Sequence, residues 1–165
     1  GKLAASFQQR ISQLTLKEII TGITEIRSKS LSSFPAEMNL VDLKKNSGGL
    51  SDVEYIAHYL LLSNPESAFT FIGDAIPKIL KELTAQTKDK KVLNELADNY
   101  IFIKNLEIFN QIVFSSSSSK LSGDEKKFEK LARLMEFESG AALKKKLNSV
   151  FKINRETFSK PLNEL

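Results

Sequence analysis

Residues Asp42–Leu62 read "DLKKNSGGLSDVEYIAHYLLL", and two of the chain's seven glycines, Gly48 and Gly49, stand side by side inside them. The pair lies between a short extended run and an apolar helix, and two readings of it compete. A glycine-rich turn from a strand into a helix can cradle phosphate, because the helix N-terminus offers free N–H donors and a partial positive charge. Lys44 and Lys45 would add charge. Yet the stretch is neither G-x-G-x-x-G nor G-x-x-x-x-G-K-[ST]. The other reading is a plain helix start. Ser51-Asp52-Val53-Glu54 spells a capping box, with Ser51 as N-cap, Glu54 at N3, and Leu50 and Tyr55 as hydrophobic staple. Asp52 and Glu54 put negative charge into the first turn, where a phosphate would meet two carboxylates. Local physics favours this second reading, and the glycines then supply positive φ or close backbone approach.

Around this stretch the chain reads as an all-α bundle of about six helices with one short strand. Helix is predicted from Ala5 to Lys29, with a break near Thr15, on the spacing of Phe7, Ile11, Leu14, Ile19, Ile20, Ile23 and Ile26. Met38 to Leu43 reads as the single strand, and a lone strand needs a partner from outside the chain. Helix resumes from Ser51 to Ser63 and ends at Asn64-Pro65. Pro65 to Gln86 carries Phe69, Phe71, Ile72, Ile76, Ile79, Leu80 and Leu83 as one or two helices, with Gly73 and Pro77 bracketing a break or first turn. Lys91 to Phe114 is apolar on most sides, which predicts a central helix. The serine run Ser115–Ser119 opens a loop over 115–122 and reads as a flexible linker. Gly123–Glu136 and Ser139–Ser159 form the last two helices.

The 165 residues suit one domain, 1–165, and 41% hydrophobic with 27% charged is ordinary globular usage. No apolar run approaches the roughly 20 residues of a membrane helix, and no signal peptide is visible. The absence of cysteine excludes disulfides, thiolate catalysis and cysteine-bound metal, and fits a reducing, cytoplasmic setting. The net charge of +4 is mild, and the run Lys144–Lys146 makes no helical stripe, so neither nucleic acid nor membrane is expected as a partner. The chain begins with Gly1 rather than Met, which reads as a piece of something longer.

His58 is the only histidine and follows Glu54 by one helical turn. With no second histidine or cysteine to complete a metal shell, an ion pair or hydrogen bond is the expected role. No nucleophile–base constellation is present, so no catalytic residue and no metal ligand is assigned to the chain.

Taken together, Asp42-Leu43-Lys44, Gly48-Gly49-Leu50, Asp52-Val53-Glu54-Tyr55 and Tyr59-Leu60 resemble the signature at the exit from the catalytic core of glutamine synthetase adenylyltransferases. "YIFIKNLEIFNQ", Tyr100–Gln111, is similar to that family's Tyr-x-aromatic-Leu-Arg-x-aliphatic-Glu helix, and "KLARLMEFES", Lys130–Ser139, to its Leu-Ala-Arg-x-Met-Gly-Tyr segment. The resemblance runs from Ala4 to Leu162 and extends to the helical domain shared with the PII-uridylyltransferase-like group. Lys104 stands in place of the family's usual Arg, His58 in place of Gln, and Glu136 in place of the glycine before the aromatic.

The resemblance implies a parent enzyme that moves AMP from ATP to a protein hydroxyl. Mg²⁺ and ATP would be held by an upstream Gly-Ser-x-x-Ser-Asp-x-Asp core that this chain lacks. Residues 36–50 would border that core. Lys44, Gly48 and Gly49 would lie on the nucleotide side, while Asp42, Ser51, Asp52 and Glu54 would be structural. Glutamine synthetase or a PII-type protein would be the partner. A free-standing helical interaction module is the alternative.

Overall fold

The computed structural model describes residues 13–32, 40–64, 74–85, 87 and 89–160. Among these are six helices and a two-stranded antiparallel ladder: α1 (Leu16–Ser32), β1 (Leu40–Asp42), α2 (Leu50–Ser63), α3 (Ile76–Leu83), α4 (Lys90–Phe114), β2 (Lys120–Ser122), α5 (Glu125–Leu134) and α6 (Gly140–Ser159). The all-α reading holds. Phe7, Ile11, Met38, Phe69, Phe71, Ile72 and Gly73, used in the sequence reading, lie outside the described residues.

Four of the six described helices begin where a side chain accepts from a first-turn amide. The break near Thr15 is the start of α1. Glu18 accepts from the Thr15 amide at 2.8 Å, and Thr15 Oγ1 accepts from the Glu18 amide at 3.3 Å, so a capping box sits here. Pro77 falls in the first turn of α3, where its missing N–H is harmless. Asp89, Asp124 and Ser139 each cap a helix by accepting from the amide three residues on.

Two expectations are corrected. β1 is not alone: Val41 lies opposite Leu121 and Asp42 opposite Lys120, so the partner strand comes from within the chain. The serine run is not a free linker either. Ser115 ends α4 in the left-handed region at φ 50°, the Ser116 amide returns to the Gln111 carbonyl, and the Ser119 carbonyl accepts from the Leu43 amide at 3.0 Å. The run delivers β2 to β1, and Leu121 is fully buried as its anchor.

The core joins fully buried Leu43, Leu50, Ile56, Leu96, Ile103 and Leu143 from four different segments. α4 contacts α2, α3, α5 and α6 and is central, as expected. Its apolar residues do not all lie inside, however. Ile101, Ile108 and Ile112 form a solvent-facing stripe, with Ile112 71% exposed.

Candidate functional site

The turn from β1 into α2 is fastened from three distant helices. Asp42 begins it: its Oδ1 accepts from the amides of Lys44 (2.9 Å) and Lys45 (2.7 Å) and from Ser119 Oγ (3.2 Å). Gly48 follows at φ +86°, a conformation that side chains disfavour. A Cβ there would stand 1.9 Å from the Phe151 carbonyl oxygen of α6. Gly49 has an ordinary φ, but a Cβ on it would come within 2.9 Å of the carbonyl oxygens of Leu43, Lys44 and Asn46. One glycine thus supplies positive φ and close approach, the other close approach alone.

The amides that a phosphate cradle would offer are engaged within the chain. Gly48 N–H donates to Asp52 Oδ2, Gly49 N–H to the Asn46 carbonyl at 2.8 Å, Leu50 N–H to the Leu43 carbonyl at 3.0 Å, and Ser51 N–H to the Lys44 carbonyl at 3.1 Å. Carbonyls of the incoming chain therefore take the donors that a helix start normally leaves open.

The same bonds overturn the capping box predicted at Ser51. The N-cap is Gly49, with no side-chain cap, and Ser51 is a buried residue one turn position further in. Leu50 is consequently the first helical residue, and Tyr55 packs beside Phe158, ring centroids 6.4 Å apart. Glu54 turns instead to α4, where its carboxylate accepts from Tyr100 Oη at 3.2 Å. Burial first, and the Glu54 carboxylate second, push the Tyr100 phenol well above its ordinary range, with the Glu107 charge adding to the effect. His58 is exposed.

Three residues that the sequence reading did not single out complete the arrangement. Arg27 of α1 is 3% exposed and forms a salt bridge with Asp52 through Nε and, at 3.1 Å, through Nη2. Nη2 also reaches the Asn46 carbonyl at 3.4 Å, while Nη1 is buried without an acceptor. From the other side, Asn154 of α6 donates to the Gly48 carbonyl at 2.9 Å and accepts from Asn99 of α4 at 2.9 Å. The signal was present in the spacing. Arg27 continues Ile19 and Ile23 at four-residue steps, and Asn154 falls on the Leu147–Val150–Phe151 face. A polar residue on a buried stripe needs a partner.

Lys44 lies at the rim of this turn with its side chain exposed. Asp42 and Asp52 are 3% and 1% exposed, one facing amides and the other Arg27, so their donor set does not fit a metal. Among the described residues no cluster of three His, Asp, Glu or Cys side chains could hold one.

The later motifs pack in the same manner. Lys104 pairs with Glu107 at 2.7 Å. Glu136 adopts φ +61° just past α5, at the position where the resembled segment carries glycine, and Phe137 after it packs on Phe102 with ring centroids 6.1 Å apart.

The described residues form an all-α bundle closed around a buried double-glycine turn whose amides are engaged within the chain. The model of the GlnD PII-uridylyltransferase family matches residues 23–161, and the chain belongs to that family. The match begins inside α1, later than the Ala4 start that the motifs suggested, and covers all three. No curated protein and no solved structure matches the chain. Among the described residues no helix is long and apolar enough to cross a membrane.

Proposed function

We propose that this chain is the non-catalytic helical part of a nucleotidyltransferase that acts on a protein hydroxyl. The observation that carries the reading is the family match over 23–161, within which Gly48 and Asp52 join one buried network with Arg27 and Asn154. The chemistry belongs to an upstream core, where Mg²⁺ and ATP would be bound by carboxylates absent from this sequence. The turn contributes a rigid rim, with the Lys44 ammonium toward the nucleotide and Gly48 and Gly49 holding its backbone beneath. The transferred group is AMP, on the adenylyltransferase-like motif, and the protein modified is glutamine synthetase or a PII-type protein in the cytoplasm.

A second reading, transfer of UMP, follows from the uridylyl transfer for which the matching family is named. Incubating the gene's full product, and separately these 165 residues, with Mg²⁺ and labelled ATP or UTP tests both. Label on the target with the full product alone supports the division of labour, and the nucleotide that labels decides between the readings. Label with the isolated chain overturns it.

A further inference from the structure

The chain's net charge is not spread over its surface. Between Asp124 and Lys160 there are ten Lys and Arg against six Asp and Glu, while the remainder of the chain holds fourteen of each. The whole excess of +4 therefore lies on the α5–α6 hairpin. Within it, Lys126, Lys127, Lys130 and Arg133 are all exposed on α5, and at about 100° per residue they share an arc of about 120° opposite buried Phe128, Leu131 and Ala132. Among the described residues none of the four is in a salt bridge. Three of the six acids are otherwise engaged: Asp124 caps α5, Glu129 accepts from the Gly140 amide, and Glu156 lies 3.8 Å from Lys152. Three of the ammonium groups lie over aromatic rings. Lys127 and Lys130 lie 5.2 and 5.5 Å from the centroid of Phe114, and Lys144 lies 5.8 Å from that of Phe128.

We propose that the solvent face of α5, with Lys144 beside it, is a docking surface for an acidic segment of a partner protein. The basis is charge complementarity on a pre-ordered helix face, which is independent of the nucleotidyltransferase reading. A protein is favoured over nucleic acid because Phe114 and Phe128 already carry ammonium groups on their faces, which removes them as stacking platforms. It is favoured over a lipid surface because the apolar side of α5 is buried in the bundle, and Leu134, the one large apolar side chain exposed on α5, is too little to insert.

The test uses the whole chain and three probes at equal charge: a polyglutamate peptide of about twenty residues, an oligothymidylate, and phosphatidylserine vesicles. At roughly 50 mM salt, where charges are weakly screened, K126E/K130E/R133E is expected to bind polyglutamate at least about tenfold more weakly than the unaltered chain. A control with the same charge change elsewhere, K17E/K78E/K91E, is expected to stay within about threefold, and circular dichroism verifies that both fold. The neutral K126Q/K130Q/R133Q should fall between. Equal losses in the two charge-reversed variants, no polyglutamate binding, or tighter binding to the oligonucleotide or vesicles would overturn the proposal.

Discussion

Replacing Gly48 by Ala asks whether the double-glycine turn is a buried hub or an adaptable loop. The added Cβ would stand 1.9 Å from the Phe151 carbonyl oxygen and 2.6 Å from its carbon, both backbone atoms in α6. Relief requires the turn or the helix to shift by more than an ångström, which also strains the bonds from Asn154 and to Asp52. The φ of +86° adds its own penalty. A side chain in the left-handed region costs about 1–2 kcal/mol and overpacking about 1–3, so about 3 kcal/mol is expected in all. At this chain length that lowers Tm by on the order of 10 °C. Urea and thermal unfolding followed by circular dichroism would read it. Gly22→Ala serves as the control: nothing lies within 4 Å of its Cβ, and a helix interior gains about 0.5–1 kcal/mol from the change. A Gly48→Ala protein within 1 kcal/mol of the parent would refute the packing argument.

The buried pair gives a second expectation. Arg27→Met or Asp52→Leu alone destabilises by about 3–5 kcal/mol, whereas the double change to Met and Leu loses less, because no uncompensated charge remains; a double-mutant cycle in urea measures the difference. Asn154→Ala leaves the Gly48 carbonyl and the Asn99 amide unpaired and should cost about 2–3 kcal/mol by the same assay. Glu136→Gly should stabilise by about 0.5–1 kcal/mol, seen as a higher Tm, because glycine accepts φ +61° without penalty. The raised Tyr100 pKa means that the folded state holds its phenolic proton when the unfolded chain has lost it. Its contribution is complete below pH about 10 and declines as pH rises further, and Tyr100→Phe should flatten that alkaline decline in unfolding free energy.

The long helices were legible because their apolar spacing and their caps are local. The Lys90–Phe114 and Gly140–Ser159 helices appear within a residue of where Lys91–Phe114 and Ser139–Ser159 were expected. What escaped was non-local. β2 follows directly on a serine run, and its one buried leucine, Leu121, is too little periodicity to mark a strand. The Ser51 box failed because the carbonyls of Leu43 and Lys44 reach the amides of Leu50 and Ser51 first. That competition depends on a fold-back that spacing alone does not encode. The run Lys144–Lys146 is consecutive and makes no stripe, whereas the basic stripe lies on α5, at Lys126, Lys130 and Arg133, on helical spacing. The positive φ or close approach expected at Gly48 and Gly49 is a local property of glycine, whereas the hold that Arg27, Asn154 and, through it, Asn99 have on the turn is a long-range one.

The most direct test of the account is residue-resolved amide hydrogen exchange at Gly48, Gly49, Leu50 and Ser51, with and without Mg²⁺–ATP. Donors bonded inside a buried turn should exchange only through global unfolding, with the slow rates of core amides such as those of Ile56 and Ile103, and nucleotide should leave them unchanged. Fast exchange at these four amides, slowed when Mg²⁺–ATP is added, would contradict it and restore the turn as a phosphate cradle.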